Sequence, residues 1–390
     1  MSSPASHRDL DQILQGAVAS GAVPNVVAVA ADRDGVVYEG AAGPRAPGSS
    51  DPVGVDSRFR IMSMTKMVVT VAALVLAEQF KLDLDAPVEE YCPEFADLAV
   101  LERIEAGRPV ERAPAAKATV KQLVTHTSGL GYWFWNDLIL EWERATGTPP
   151  VMSGAAAVLT TPLACDPGTA FVYGLGTDWL GKVVEAVWGH PLPDAVSTLV
   201  TGPLEMNATS FTLSESERGA VVPVHLQAAE GGWAASEIDL PASPDYWSGG
   251  HGLYSTPRDY LTFQRMLLGD GTSPDGTIVL KPETVAAAFA DQIAPLGFPA
   301  EIASADPAST YGLSVGPDHS WGHGLLINLA DQPGRRRAGS GAWAGFFNTH
   351  FWVDRAAGLT AAIYAQLLPF LSPGAVTVYE DFEAALYASL

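Results

Sequence analysis

A serine and a lysine stand three positions apart at the head of an apolar segment. They are Ser63 and Lys66, within RIMSMTKMVV at residues 60–69. On a helix, residues at this spacing share one face and lie about 5–6 Å apart at Cβ. A serine hydroxyl becomes a nucleophile when a neighbouring base takes its proton, and a lysine can be that base when burial or a helix N-terminus lowers its pKa. The same pair also fits an ordinary helix start, with Ser63 as the N-cap and Lys66 in solvent.

Two later segments add groups that such a pair would need. Tyr173 lies in CDPGTAFVYGLGTDWLG, between a Pro-Gly turn and a helical pattern, so its phenol can project into a cleft. The tripeptide WAG, residues 343–345, lies in RRRAGSGAWAGFFNTHFWVD, and we expect it at the start of a strand. Small residues at that position let the backbone approach a ligand closely.

Taken together, these segments resemble the serine β-lactamase and penicillin-recognising superfamily, most closely the class C β-lactamase-like esterases (family VIII carboxylesterases). SMTK at residues 63–66 matches the nucleophile motif, and Tyr173 matches the tyrosine of the Tyr-x-Asn element. WAG matches the third element, which is Lys-Thr-Gly in the lactamases and often Trp-Gly-Gly in the esterases. Residues 120–130 and 248–271 also resemble family segments, so the match runs from the first hairpin to the last helix in the family's order.

The resemblance implies a role for each matched residue. Ser63 would be the acylated nucleophile, and Lys66 would take or relay its proton. Tyr173 would donate a proton to the leaving group and then activate water. The backbone N–H groups of Ser63 and Phe346 would form the oxyanion hole. Trp343 would occupy the place of the lactamase lysine.

The implied function is a serine hydrolase that cleaves short-chain carboxylic esters through an acyl-enzyme, with no cofactor and no metal. An acyltransferase, an amidase or a weak β-lactamase would use the same catalytic residues. Outside the enzymes, the alternative is a non-catalytic penicillin-binding sensor. Retention of Ser63, Lys66 and Tyr173 together argues against that sensor, because a binder does not need all three.

Two departures from the lactamase pattern favour a neutral ester as substrate. The lactamase asparagine after the tyrosine is Leu175 here, so the side-chain amide that would hold an acyl-amide substrate is missing. Trp343 also cannot pair with a substrate carboxylate as a lysine does. The arginines at residues 335–337 could partly restore a carboxylate contact, but a solvated loop is the favoured interpretation of three arginines in a turn.

Several aromatic and small residues are candidates for substrate binding. Trp133, Trp135, Tyr246 and Trp247 either line an acyl pocket or pack in the core, whereas Trp343 and Gly345 are candidates as parts of the WAG element. GLSVG at residues 312–316 satisfies the G-x-S-x-G pattern, but no helical segment follows Ser314, as that motif requires. We therefore interpret Ser314 as a strand residue. His126 and the other histidines of these motifs are interpreted as structural or cleft residues.

The order of elements predicts an α+β fold. A helical pattern at residues 7–20 precedes two β-rich runs around an Asp-Gly turn, and strand-like runs, RRRAGSG among them, return after residue 300. We expect one antiparallel sheet built from both termini and flanked by helices, the β-lactamase/DD-peptidase-like arrangement of the resemblance. Residues 1–83 and 301–390 would form the sheet domain, residues 84–300 a mostly helical domain, and the active site would lie between them.

Composition limits the partners of the chain. Its 390 residues carry a formal net charge of −22, which disfavours nucleic acid and anionic membranes. The expected partner is a small-molecule ester, and the oligomeric state is left open. Cys92 and Cys165 are too few for a disulfide scaffold, so free thiols are expected. With no leader-like or membrane-spanning segment, a cytoplasmic location is expected.

Overall fold

The computed structural model describes residues 7–389 as ten α-helices and fifteen strands with short 3₁₀ turns between them. The helices are α1 (His7–Ala19), α2 (Thr65–Glu78), α3 (Val120–Val124), α4 (Asp137–Thr146), α5 (Gly176–Trp188), α6 (Leu192–Val196), α7 (Glu215–Ala220), α8 (Pro257–Leu268), α9 (Pro282–Ala288) and α10 (Pro373–Ala388). The strands are β1 (Val26–Asp32), β2 (Val36–Ala42), β3 (Phe59–Arg60), β4 (Val100–Glu105), β5 (Arg108–Arg112), β6 (His225–Gln227), β7 (Trp233–Ala235), β8 (Tyr254–Ser255), β9 (Glu301–Ile302), β10 (Leu313–Ser314), β11 (His319–Trp321), β12 (Leu326–Asn328), β13 (Gly341–Gly345), β14 (Thr349–Asp354) and β15 (Leu359–Tyr364).

A seven-stranded sheet joins the two ends of the chain, as the sequence predicts. Its order is β11-β12-β13-β14-β15-β1-β2, and its neighbouring strands run antiparallel. The early hairpin β1–β2 joins the late strands where β1 pairs with β15, for example at Val29 and Ala362. The α+β class is therefore confirmed.

Helices cover both faces of this sheet. Along β1, Val27 and Val29 pack into the core shared with α2 and α8, whereas Ala28 and Ala30 pack against α1 and α10. This alternation follows from the two-residue period of a strand. Because both faces are covered, β1 and β15 are almost wholly buried, and their residues are mostly apolar rather than alternating with polar ones.

Helix α2 runs through the interior of the molecule. Twelve of its residues are buried, and they are apolar on nearly every side, as expected for a helix without a solvent face. Lys66 lies in the first turn of this helix and is only 1 % exposed. The alternative of a solvated Lys66 is therefore wrong, because the helix that carries it has no wet side.

Three local expectations differ from the structure. RRRAGSG is a loop between β12 and β13, where Gly334 and Gly339 adopt positive φ angles that break a strand. WAG lies at the end of β13 rather than at its start. Residues 84–300 hold the hairpins β4–β5 and β6–β7 and long loops, so this part is less helical than expected.

Candidate active site

Ser63 lies in a single 3₁₀ turn, Met62–Met64, directly before α2. Met62 has a φ of +46°, in the left-handed region that residues other than glycine seldom adopt. No side chain caps this turn or α2, so the N-cap alternative for Ser63 is wrong. The sharp turn instead leaves Ser63 partly exposed at the wall of a pocket, next to the buried Lys66.

The Lys66 amine has three hydrogen-bond partners. Its Nζ lies 3.2 Å from Ser63 Oγ, 3.1 Å from the Tyr132 hydroxyl and 2.9 Å from the carbonyl oxygen of Gly250. The Tyr132 hydroxyl donates its own proton to Asp178 Oδ2 at 2.9 Å, so its oxygen can accept from Lys66. In its neutral form the amine has two N–H donors, which the Gly250 carbonyl and the Tyr132 hydroxyl can accept. Its lone pair is then left for the proton of Ser63.

Burial sets the protonation of this amine. It lowers the pKa of Lys66 to about 7, because charge is costly away from water, while the Asp178 carboxylate opposes the shift. Burial also raises the pKa of Tyr173, although hydrogen bonds with Ser63 and Trp343 oppose it. Near neutral pH a large fraction of Lys66 is therefore an amine able to accept a proton, while Tyr173 keeps its proton.

Asp178 and Tyr132 form a second hydrogen-bonded layer that the motif analysis did not single out. Asp178 is fully buried on α5 and accepts from Tyr132, from Ser248 Oγ and from the backbone N–H of Gly250. This network holds two of the three partners of the lysine amine, the phenol oxygen of Tyr132 and the Gly250 carbonyl. The sequence does contain a signal that could have identified Asp178. It is an acidic residue in the otherwise apolar start of a helix, five positions after Tyr173.

Tyr173 and Trp343 form one unit. Tyr173 precedes α5 and is 5 % exposed, and its hydroxyl accepts a hydrogen bond of 2.8 Å from Trp343 Nε1. The two rings pack with centroids 4.9 Å apart, and the Lys66 ammonium position lies 4.9 Å from the centroid of the Tyr173 ring. Trp343 therefore orients the phenol. The motif match, which places Trp343 where the lactamases have a lysine, could not indicate this contact.

The end of β13 approaches the nucleophile turn closely. A Cβ at Gly345 would overlap the carbonyl oxygen of Ile61 and the hydroxyl of Thr349, so only glycine fits there. Phe346 follows immediately, and its side chain lines the same pocket as Ser63. This close packing places Gly345 against Ile61, two residues before Ser63. The resemblance expects the backbone N–H of Phe346, the next residue, in an oxyanion hole there.

The predicted binding aromatics are divided among three cavities. Trp133 lines the pocket beside Ser63, an apolar space of about 80 Å³ that we call the acyl-side pocket. Its other walls are Met62, Tyr132, Phe134, Pro150, Val151, Met152, His251 and Phe346. Trp135 lines a separate, larger cavity of about 590 Å³ together with Trp343. Tyr246 and Trp247 line a cavity of about 20 Å³ together with Ser248, and neither lines the pocket beside Ser63.

The other candidates of the sequence form no hydrogen bond with the Lys66 amine. Ser314 is on β10, and a turn rather than a helix follows it, as expected. His126 is buried against the Tyr173 ring and its Nδ1 accepts from the N–H of Gly174 at 3.4 Å. Cys92 and Cys165 are free, as predicted. Among residues 7–389 no group of side chains is arranged to hold a metal ion, and no helix is long and apolar enough to cross a membrane.

Known proteins resemble this chain over nearly its full length. It is 30% identical over 363 residues to lovastatin esterase of Penicillium rubens, covering 89% of each chain. It is 30% identical over 397 residues to monacolin J acid methylbutanoyltransferase of Aspergillus terreus, covering 97% of this chain and 95% of the relative. Among solved structures, a mutant simvastatin synthase of Aspergillus terreus superposes with a TM-score of 0.84 at 27% identity, covering 97% of this chain and 94% of that one.

The family model described as Beta-lactamase matches residues 10–386, which is almost the whole chain. The antiparallel sheet with helices on both faces agrees with the fold of the solved relatives. The relatives found by sequence include an esterase and an acyltransferase, and this supports a hydrolase. The chain therefore belongs to the Beta-lactamase family and has the β-lactamase-type α+β fold.

Proposed function

We propose that the protein is a serine esterase that cleaves short-chain carboxylic esters through an acyl-enzyme on Ser63. The observation that carries this proposal is the hydrogen bonding of Lys66. Its Nζ lies within hydrogen-bond distance of Ser63 Oγ, the Tyr132 hydroxyl and the Gly250 carbonyl, so a neutral amine that donates to Tyr132 and Gly250 has its lone pair free for the proton of Ser63. Because its pKa is lowered to about 7, the amine is available as a base near neutral pH.

Acylation would begin with attack of Ser63 Oγ on the ester carbonyl carbon while its proton moves to Lys66 Nζ. The carbonyl oxygen becomes negative and would be held by the N–H groups of Ser63 and Phe346. The carbon–oxygen bond to the alcohol then breaks, and the leaving oxygen takes the proton of the Tyr173 phenol. Lys66 returns a proton to Tyr173, so the net transfer is from Ser63 to the released alcohol.

Deacylation would repeat these transfers with water as the nucleophile. Lys66 and Tyr173 take one proton from water as it attacks the acyl carbon, and Ser63 Oγ recovers a proton as it leaves. The other proton of water stays on the oxygen and completes the released carboxylic acid. No other reactant is needed, and the protein returns to its starting protonation.

The side chains around Ser63 favour an ester over a β-lactam. Leu175 has no amide to hold an acyl-amide group, and the Trp343 indole N–H is already bonded to Tyr173. The acyl-side pocket is small and mostly apolar, which suits a short acyl chain. The esterase among the relatives supports the same assignment.

An acyltransferase is the second candidate, favoured by the similarity to a methylbutanoyltransferase over nearly the whole chain. The test is to incubate the protein with p-nitrophenyl butyrate, with and without butanol, and to quantify nitrophenol, butyric acid and butyl butyrate. We expect butyric acid in both mixtures and as the main product. Product that forms only when butanol is present would instead assign a transferase.

Tyr173→Phe should lower kcat for ethyl butyrate by about 10²-fold, because the leaving alkoxide loses its proton donor. The loss should be smaller for p-nitrophenyl butyrate, because p-nitrophenolate leaves without protonation. Tyr91→Phe is the matched control, since the Tyr91 hydroxyl only accepts a hydrogen bond from the N–H of Asp83. Equal activity of Tyr173→Phe and the unmodified protein on ethyl butyrate would remove this phenol from the mechanism.

We also propose that the site lies between two parts of the chain. One part comprises residues 1–83 and 301–390, and the other comprises residues 84–300. Ser63 and Lys66 come from the first part, as does Trp343. Tyr132 and Asp178 come from the second. Hydrogen bonds of Lys66 to Tyr132 and of Trp343 to Tyr173 cross between them.

A further inference from the structure

His251 lines the acyl-side pocket, and the proposed mechanism gives it no role. Its ring is 6 % exposed, and it also lines the small cavity of Tyr246 and Trp247. Protein therefore encloses most of the ring, while part of it reaches the space beside Ser63. Buried polar atoms are normally hydrogen-bonded, so the partners of the two ring nitrogens indicate what the ring can bind.

A tight turn, residues 248–251, holds this ring against α5. At Gly250 a Cβ would overlap the carboxylate of Asp178, so the turn packs closer to α5 than a residue with a side chain allows. The same turn supplies the Gly250 carbonyl that accepts from the Lys66 amine. His251 therefore has the same closely packed support as a partner of Lys66.

The hydrogen bonds of Ser248 fix which ring nitrogen of His251 carries the proton. Ser248 Oγ donates its single proton to Asp178 Oδ1. Its oxygen accepts from the backbone N–H of His251 at 3.1 Å and lies 2.7 Å from Nδ1 of the ring. Because the hydroxyl has no second proton, Nδ1 is the donor in this last contact. The proton of the neutral imidazole is therefore on Nδ1, and Nε2 has a lone pair.

Burial keeps this imidazole neutral. It lowers the pKa of His251 to about 4, while the Asp178 carboxylate opposes the shift and the charge of Lys66 adds to it. At neutral pH, Nε2 is therefore a hydrogen-bond acceptor. It has no hydrogen-bond partner among residues 7–389, and it is not sealed in the interior as Nε2 of His126 is.

The acyl-side pocket is the space in which a substrate group can meet this lone pair. Of the two cavities that the ring lines, the one beside Ser63 has about 80 Å³, whereas the other has about 20 Å³. The smaller volume has room for little more than one water molecule.

The other side chains of this pocket offer no second strong acceptor. The Tyr132 hydroxyl already has two hydrogen-bond partners. The Trp133 indole nitrogen is a donor only and is fully buried. The remaining walls are methionine, phenylalanine, proline and valine side chains. Apart from Ser63, which carries the acyl group in the intermediate, His251 therefore supplies the strong side-chain acceptor of the pocket.

We propose that His251 selects the acyl part of the substrate by accepting a hydrogen bond from it at Nε2. An acyl group bonded to Ser63 Oγ extends into the acyl-side pocket, which Ser63 and Phe346 both line. The substrate class is then an ester of a short-chain hydroxy acid. Its acyl hydroxyl donates to Nε2, while its carbon chain contacts the apolar walls. This proposal rests on the proposed esterase function, and it adds the chemistry of the acyl group.

The test compares ethyl esters that differ in one group of the acyl chain. Ethyl 3-hydroxybutyrate has a hydroxyl where ethyl 3-methylbutyrate has a methyl group of nearly the same size. Ethyl lactate and ethyl isobutyrate make the same exchange one carbon nearer to the carbonyl. Each kcat/KM is divided by the rate constant of that ester for alkaline hydrolysis, which removes the difference in intrinsic reactivity.

We expect the hydroxy ester to exceed its methyl counterpart by about 3- to 10-fold in at least one pair, for its better enantiomer, as one neutral hydrogen bond contributes. A ratio at or below one in both pairs would overturn the proposal.

His251→Asn separates the two hydrogen bonds of the ring. The asparagine amide can still donate to Ser248 Oγ, but it has no atom at the position of Nε2. The ratio should fall below one, because the hydroxyl then enters the pocket without an acceptor. Circular dichroism and thermal melting check the fold. If the variant slowed both esters equally and kept the ratio, the role of His251 would be structural and the proposal would be wrong.

His323→Asn is the matched control. His323 is also 6 % exposed, its two ring nitrogens have no partner among residues 7–389, and it does not line the acyl-side pocket. This variant should keep the ratio of the unmodified protein. An equal loss of preference in both variants would show that Nε2 of His251 is not the acceptor.

NMR of ¹⁵N-labelled histidine gives a readout that does not depend on catalysis. It uses the Ser63→Ala protein, in which the His251 signals are assigned by their loss on adding His251→Asn. We expect Nε2 to be unprotonated at neutral pH. Its signal should move when a hydroxy ester is added and stay in place with the methyl counterpart.

The two readouts distinguish failure of the proposed function from failure of this inference. If p-nitrophenyl butyrate shows no hydrolysis that depends on Ser63, the esterase function fails, while the NMR titration still decides the hydroxyl site. A protonated Nε2, or an equal response to both esters of each pair, would overturn the hydroxyl site even in an active esterase.

Discussion

Ser63→Ala should abolish turnover of p-nitrophenyl butyrate, with a loss on the order of 10⁴-fold or more, because no acyl-enzyme can form without the hydroxyl. The fold should persist, since Ser63 is partly exposed and caps neither its own turn nor α2. Stopped-flow absorbance would measure the burst of nitrophenol. Intact-protein mass spectrometry of the quenched unmodified protein should show the added butyryl mass, and the variant should show none.

Ser216→Ala serves as the control for this experiment, because Ser216 is exposed on α7 and does not line the acyl-side pocket. It should keep both the burst and the butyryl adduct. If Ser63→Ala retained the adduct, peptide mapping would locate a different nucleophile, and the Ser63 mechanism would be wrong.

Lys66→Ala should lower kcat/KM by about 10²- to 10⁴-fold, which is the usual loss when a general base is removed. Ser63 Oγ would lose the amine 3.2 Å away, and Tyr132 and Gly250 would lose its two N–H donors. Lys81→Ala is the control, because Lys81 is an exposed lysine just beyond the end of the same helix. Activity should be measured on variants whose melting shows that they are folded.

The pH dependence of kcat/KM tests whether Lys66 acts as a base or only as a positive charge. With a pKa of about 7, Lys66 is mostly protonated at lower pH and cannot accept the Ser63 proton, so kcat/KM should rise as pH increases through about 7 and then level. An ordinary exposed lysine, with its pKa near 10.5, would move this rise more than three pH units higher. Lys66→Arg keeps the charge but cannot give up its proton, and it should be as inactive as Lys66→Ala. An active Lys66→Arg enzyme would contradict the role of base.

Local chemistry allowed much of the fold to be predicted from the sequence. The Asp-Gly turn, with β-rich runs on both sides, predicted the hairpin β1–β2, and helical spacing predicted α1 and α10. These signals depend on residues that are neighbours in the chain. RRRAGSG failed as a strand because Gly339 adopts a positive φ angle and the middle arginine pairs with Glu383 of α10, a partner 47 residues away.

The sequence also predicted part of the candidate site, where the residues are close in the chain or belong to a known motif. Ser63 and Lys66 are three residues apart, so helix geometry alone could bring them together. Tyr173 and WAG were found through the order of family motifs. Tyr132 could not be distinguished from its aromatic neighbours, because its role depends on contacts with Lys66, 66 residues away, and with Asp178, 46 residues away.

The sequence by itself therefore determined which groups are available: the hydroxyl of Ser63, the amine of Lys66 and the phenol of Tyr173. Only the tertiary structure decided how these groups are buried, protonated and hydrogen-bonded. It buries α2 on every side and so lowers the pKa of Lys66, and it places the Gly250 carbonyl, 184 residues away, against the amine. It also buries Arg336 beneath α10. Burial and charge pairing depend on which distant segments pack together, and residue types and spacing along the chain do not contain that information directly.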